Sequence, residues 1–297
     1  MNKVNFSVYH LLLFLAALIW GFSFVAQKLG MQYIQPFWYN GIRFMLGSFV
    51  LLPFFFKSFK LFKISEYRKV FFKGGLIAGL FLFAGANLQQ IGIQYTTAGN
   101  AGLITGLYVI LVPVAGIMLG YKTKLMTWIG VILGLVGMYF LSVKDGFYIS
   151  KGDLYVLASA VIWTGHVLTV AVFSPKVNPL QLAYAQFFIC GILSLLIAVF
   201  TEPISFQMLY LAKYPILYGG LLSVAAGFTL QVIGQEKVQP AMATIILNME
   251  SVVAVFGGWL ILNEDITIRM LIGATLMFVG VMAAKKDLIT VSTQNKI

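Results

Sequence analysis

Apolar residues run along this chain in ten long blocks, and polar residues gather in short stretches between them. The blocks cover approximately 8–28, 37–56, 74–94, 100–121, 125–143, 154–173, 180–200, 216–235, 241–262 and 270–284. A run of roughly 18 or more apolar residues is long enough to cross a bilayer as a helix. Lipid offers no partner to a free backbone N–H or C=O, so each block is predicted to be helical. The pattern predicts an all-α integral membrane protein with ten transmembrane helices.

A second regularity lies on top of the first. ALIWGFSFVAQK at 17–28 is echoed by AVIWTGHVLTVA at 160–171. Trp20 falls on Trp163, Pro36 on Pro179, Phe44 on Phe187, Gly130 on Gly273 and Gly137 on Gly280, each pair 143 residues apart. LQQIG at 88–92 falls on LQVIG at 230–234. The register holds along nearly the whole chain, which indicates duplication. Each copy holds five spans. Five is odd, so the second copy is expected to enter the membrane from the opposite face. The expected domains are two inverted five-helix repeats, residues 1–146 and 147–297. Secondary transporters use such repeats for alternating access, with the substrate near the midplane. The shared Trp, Gly and Ala positions read as packing. The altered letters, Phe22–Ser23–Phe24 against Thr164–Gly165–His166, break the symmetry, as a site for an asymmetric small molecule requires. Lys3 precedes the first block in the manner of a signal peptide. Cleavage would remove the partner of the Trp163 segment, so the block is read as a retained span.

Composition sharpens the picture. Hydrophobic residues make up 60% and charged residues 10% of the chain, against about 25% charged in soluble domains. That leaves no polar surface for a sizeable soluble domain. The net charge of +11 reflects cations in short loops, where they set orientation, and no nucleic-acid partner is expected. With the N-terminus in the cytoplasm, the cluster Lys57, Lys60, Lys63, Arg68, Lys69 and Lys73 lies inside, with Lys3, Lys122, Lys124, Lys176, Lys237, Lys285, Lys286 and Lys296. Lys144, Lys151, Lys213, Arg269 and Lys28 lie outside. Both termini are therefore expected in the cytoplasm, with the protein in a bacterial inner (plasma) membrane. The 57–73 cluster could also lie on anionic lipid. Cys190 sits alone in an apolar run, with no disulfide or metal companion.

Polar residues within the spans are the candidate chemistry. A charge at a helix centre costs roughly 2.5–3.5 kcal/mol on insertion scales, so it should face a bundle interior or a wet cavity. Arg43 could bind a substrate carboxylate or be a structural cation held by backbone carbonyls. Glu250 could carry a proton, face a substrate amine, or lock helix packing. His166 could be a satisfied interior residue or a cavity wall. Asn87, Gln90 and Gln94 share one face of the third span. Gln231 and Gln235 share one of the eighth. Trp20, Phe24 and Gln27 align on the first span, Thr105 and Tyr108 on the fourth, and Thr244, Asn248 and Ser251 on the ninth. Such stripes either line a cavity or tie helices together. Pro113 with Gly116, and Gly257–Gly258, are expected to interrupt the fourth and ninth spans at matching places, as hinges, as part of the site or through tight packing. The expected substrate-binding set is Trp20, Phe24, Asn87, Gln90, Thr105, Tyr108, Trp163, His166, Gln231 and Asn248, with Glu250 and Arg43 as charge or coupling sites. No HExxH, paired membrane aspartates or Ser–His arrangement suited to catalysis occurs, so an intramembrane enzyme or sensor ranks low. No cofactor or metal is expected.

These residues resemble the drug/metabolite transporter superfamily, in particular its EamA-type members. ALIWGFSFVAQK resembles the family's opening span, and QPFWYNGIRF its Pro-to-Arg second span, with Arg43 at the Arg. NAGLITGLYVILVPVAG and ATIILNMESVVAVFGGWLILNE resemble the fourth and ninth. Glu250 falls on the acid of an "LEP"-like motif and Glu264 on the acid that ends the ninth span. The resemblance implies a ten-helix carrier whose cavity is lined mainly by spans 1, 3, 4, 6, 8 and 9. Its members move amino acids, other metabolites or drugs, often outward. The chain departs from the pattern at Tyr121–Lys122, where many relatives have Gly–Glu, and at Ser251, where Pro is usual. Its first span lacks the acid of the small multidrug carriers, which weighs against simple proton-for-drug exchange. Export of amino acids or related zwitterionic or aromatic compounds ranks first, and multidrug or organic-cation export anchored on Glu250 second. Phosphate-ester transport needs more buried cations than Arg43 alone. The remaining expected partners are the lipid bilayer and protons as coupling ion, for a monomer or weak homodimer.

Overall fold

A computed structural model describes residues 7–142 and 150–294. In chain order its helices are α1 (Val8–Gly30), α2 (Pro36–Lys57), α3 (Ser65–Tyr95), α4 (Ala98–Thr105), α5 (Tyr108–Met118), α6 (Leu125–Ser142), α7 (Lys151–Phe173), α8 (Pro179–Thr201), α9 (Phe206–Leu211), α10 (Lys213–Leu217), α11 (Thr229–Gln235), α12 (Pro240–Leu247), α13 (Met249–Leu262) and α14 (Ile268–Gln294). A 3₁₀ turn, Phe59–Lys63, links α2 to α3, and a π-helical stretch, Tyr218–Phe228, joins α10 to α11. Every apolar block of the sequence is helical, and eight helical segments are long and apolar enough to cross a membrane. The apolar parts of α6 and α14, Leu125–Gly137 and Ile268–Ala284, are shorter. Lys3, Lys144, Lys296 and the 146/147 boundary lie outside the described residues.

Local sequence explains the helix starts. Pro36, Pro179 and Pro240 occupy first-turn positions, where the missing N–H costs nothing and φ is already helical. Asn178 accepts from Leu180 N and Gln181 N. Ser150 and Asp153 form a reciprocal capping box on α7. The Glu202 carboxylate accepts from Phe37 N and Trp38 N at 3.0 and 2.9 Å. It thereby satisfies two orphan donors at the start of α2 and ties the end of α8 to them.

Small residues set how the helices meet. A Cβ on Gly41 would strike Leu195, and one on Gly191 would strike Met45, so α2 and α8 pack closely and run antiparallel. A Cβ on Gly130 would lie 2.7 Å from the Gly280 carbonyl oxygen, and one on Gly137 2.6 Å from that of Gly273. Thus α6 and α14 also cross antiparallel, glycine to backbone, the close approach that small residues permit between membrane helices. Gly137→Ala forces these backbones apart. We expect it to destabilise the protein by about 1–3 kcal/mol, read as a lower unfolding temperature in detergent. An unchanged midpoint would refute the close packing.

The interruptions of the fourth and ninth spans differ from expectation. Pro113 and Gly116 lie within continuous α5, and Gly257–Gly258 within continuous α13. The breaks occur instead at Gly106–Leu107, between α4 and α5, and at Asn248, between α12 and α13. There the chain tightens into i→i+3 hydrogen bonds, Leu107 N to Ile104 O at 3.1 Å and Ser251 N to Asn248 O at 3.0 Å. Gly106 leaves the room that the Asn248 and Ser251 side chains occupy. Ser251 Oγ donates to the Gly102 carbonyl at 2.7 Å. A hydroxyl at this position thus bonds across the two breaks, which proline could not do. Proline fails to break α5 because only one intrahelical donor is lost there, and buried neighbours hold the helix.

Candidate functional site

One interior cavity lies among the helices, and its enclosed space of about 50 Å³ is below the range of open small-molecule sites. Its walls come from α1, α2, α3, α4, α5, α7, the π stretch and α11 to α13. The sequence-predicted residues Trp20, Phe24, Thr105, Tyr108, Trp163 and Gln231 line it, as do both charged candidates, Arg43 and Glu250.

Two tryptophans, equivalent in the duplication, frame the aromatic wall. Trp20 lies over Gly227 and Trp163 over Gly85, so each indole fills the space a missing Cβ leaves. Phe228 lies between them, with its ring centroid 4.6 Å from that of Trp20 and 5.8 Å from that of Trp163. Trp20 Nε1 donates to the Ser223 carbonyl at 3.2 Å, and Trp163 Nε1 to Gln89 Oε1 at 2.9 Å. Both indole N–H groups are satisfied.

A chain of hydrogen bonds links the two residues that accept from these indoles. Ser23 Oγ donates to Ser223 Oγ at 2.9 Å. Gln27 Nε2 donates to Ser23, and Gln89 Nε2 to Gln27 Oε1 at 3.2 Å. Thr105 donates to Gln89 Oε1. Gln231 Oε1 is buried with no hydrogen-bond partner among the described residues, an acceptor available to a donor-bearing ligand.

Arg43 and Glu250 are both buried. Arg43 Nε donates to Asn40 Oδ1 at 2.8 Å, and its guanidinium lies over the Tyr39 and Phe44 rings at 5.2 and 4.9 Å. Glu250 Oε1 accepts from Tyr108 OH at 2.9 Å. Among the described residues the ion pairs are Glu66–Lys69 and Glu236–Lys237. Neither Arg43 nor Glu250 has an ionic partner among the described residues, and both face one cavity.

Four predicted residues lie outside the lining. Asn87 donates to Ser194 Oγ and the Phe83 carbonyl and accepts from Asn40, which ties α3 to α2 and α8. Gln90 donates to the Gln27 carbonyl. His166 Nε2 is 2.7 Å from Gln186 Oε1, the α8 counterpart of Arg43. Asn248 takes part in the break against Gly106. For Asn87 and Gln90, the stripe marked a shared face but not the neighbour it meets. Gln235 likewise donates to the Val167 carbonyl on α7. Lys28 is a cap: Nζ donates to the carbonyls of Ile93, Gln94 and Thr96 at the end of α3, where a cation is favoured. Glu264, beyond the end of α13, lies outside the cavity.

Sequence reasoning missed Gln89, Ser223, Phe228, Val167 and Leu247 in the lining. Gln89 sits one residue from the stripe that drew attention. Ser223 and Phe228 stand eight and three residues before Gln231, positions that helical spacing puts near its face, so extending that stripe backwards is the signal that finds them.

Comparison with known proteins adds the following. The EamA-like transporter family profile matches this chain twice, over residues 7–143 and 150–284. An uncharacterized transporter of Archaeoglobus fulgidus is 33% identical over 270 residues, 90% of this chain and 82% of that protein. The uncharacterized transporter YoaV of Bacillus subtilis is 27% identical over 272 residues, 89% of this chain and 92% of that protein. A solved crystal structure at 19% identity superposes with a TM-score of 0.76 over 94% of this chain and 98% of its own, a likeness of fold.

Proposed function

Since this chain belongs to the EamA-like transporter family, a multi-pass membrane family of transporters rather than enzymes, we propose that it is a secondary carrier exporting small zwitterionic metabolites. Amino acids and related aromatic compounds are the leading substrates, moved by alternating access across a bacterial inner membrane with both termini in the cytoplasm. The observation that carries the reading is the cavity that holds Arg43 and Glu250 without an ion pair between them. A zwitterion supplies the missing partner of each, carboxylate to guanidinium and ammonium to carboxylate. The aromatic wall accepts an apolar side chain, and Gln231 an extra donor. Charges that a low-dielectric interior would otherwise disfavour are thus neutralised by the substrate itself.

Alternating access draws support from the packing. The family profile matches each half. The helices equivalent under the duplication, α2 with α8 and α6 with α14, run antiparallel where they meet. Inverted repeats require that relation.

The test is uptake of labelled amino acids into proteoliposomes, with tryptophan and tryptamine as a matched pair differing in the carboxylate. Arg43→Gln is expected to weaken tryptophan transport about ten- to a hundredfold, the worth of a charge-assisted hydrogen bond, and to leave tryptamine unchanged. A wild-type protein that moves no amino acid overturns the proposal. If tryptamine is preferred and Arg43→Gln affects neither compound, Glu250 serves an organic-cation exporter instead, the second reading that its deep, unpaired carboxylate supports.

A further inference from the structure

Sharing no residue with the cavity, the end of α2, the 3₁₀ turn, the first turns of α3 and the start of α8 enclose a groove of about 700 Å³. Its walls are aromatic. Phe59 and Phe62 stack at 5.3 Å, Tyr184 and Phe188 at 5.8 Å, and Phe55 meets Tyr184 at 4.6 Å. At its floor α3 and α8 meet at two small residues, so close that a Cβ on Gly75 would fall 2.9 Å from Ala185 Cβ. Phe59, Phe72 and Leu76 are each more than half exposed. Aromatic walls over a glycine–alanine floor suit an acyl chain, whose methylenes need apolar contact rather than hydrogen bonds.

Lys60, Lys63 and Arg68 also line this groove. All three are exposed, and none has an ion pair among the described residues. The nearby acid Glu66 faces Lys69 at 3.6 Å, one turn along α3. Three cations thus border an apolar slot with no acid to answer them. Basic pockets between membrane helices bind anionic lipid headgroups by this complementarity. Orientation alone needs cations in a loop; it does not need them at the rim of a groove.

We propose that this groove binds one anionic phospholipid, its phosphate held by Lys60, Lys63 and Arg68 and an acyl chain laid along Phe55, Phe62 and Phe188. The full-length protein, purified in detergent, is titrated with phosphatidylglycerol and with phosphatidylcholine of the same chains, and bound lipid is counted by native mass spectrometry. Wild type is expected to retain phosphatidylglycerol over phosphatidylcholine. Each of Lys60→Gln, Lys63→Gln and Arg68→Gln should lower that affinity about fivefold. Leu76→Trp, which fills the slot and keeps the cations, should lower it as well, so the result does not rest on charge variants alone. Equal retention of the two lipids, or undiminished phosphatidylglycerol binding by the triple glutamine variant or by Leu76→Trp, overturns the proposal. The readout is bound lipid, so it stands or falls apart from what the central cavity carries.

Discussion

Glu250→Gln is expected to reduce transport of any amine-bearing substrate by about two- to thirtyfold while the protein still folds. The glutamine carbonyl can still accept from Tyr108 OH, which now meets Glu250 Oε1 at 2.9 Å. Size and the local hydrogen bond are therefore kept, and only the negative charge is lost. A bond to a charged group contributes about 1.5–3 kcal/mol where a neutral one contributes about 1, and the difference sets the expected loss. Tyr108→Phe is the control: it removes the hydrogen bond but keeps the charge, and should affect transport less. Initial rates in proteoliposomes decide the matter. Undiminished rates for every substrate would reduce Glu250 to a packing residue between α5 and α13.

Gly106→Ala should be the most damaging small substitution in the bundle. Its Cβ would overlap the Asn248 side-chain oxygen and stand 2.8 Å from Ser251 Oγ. Those two side chains are themselves engaged, Ser251 with the Gly102 carbonyl and with Asn248 Oδ1. Overpacking at a site with no slack costs about 1–3 kcal/mol, and the upper figure applies here. The expected readout is a large fall in unfolding temperature, with reduced yield of monodisperse protein. Asn248→Gly in the same chain should restore most of the loss, since it removes the obstructing atoms. Failure of that rescue would show that the damage arises within α4 and α5 alone, and the proposed meeting of the two breaks would be wrong.

Much of this molecule was legible in the sequence, for a physical reason. Lipid forces helices and forbids long polar stretches, so the ten apolar blocks map directly onto helical segments. The duplication exposed Trp20 and Trp163 as a pair, and they frame one cavity. Arg43 and Glu250 stood out because buried charge is costly and therefore rare. The rest depended on which neighbour each face meets, which spacing within one helix cannot say. Asn87 and Gln90 have the spacing of cavity residues and are ties between helices, while Gln89, next to Gln90, holds Gln27 and Trp163 together. Ser223 and Phe228 lie at helical spacing from Gln231 but carry no amide or charge to mark them. The sequence predicts the helix breaks at Pro113 and at Gly257–Gly258. They lie at Gly106 and Asn248, where a contact between distant segments, and no local breaker alone, decides the geometry.

That contact has a mechanical consequence. Gly106 and Asn248 are 142 residues apart and touch; Tyr108 and Glu250 are likewise 142 apart and share a hydrogen bond. In the proposed carrier the two halves trade postures, and a residue that leans on its own counterpart keeps that neighbour through the trade. This spot is then the fulcrum of the rocking, and its spacing should be conserved in every posture. A short covalent tether across it would leave turnover running, whereas the same tether between off-centre helix ends would arrest it.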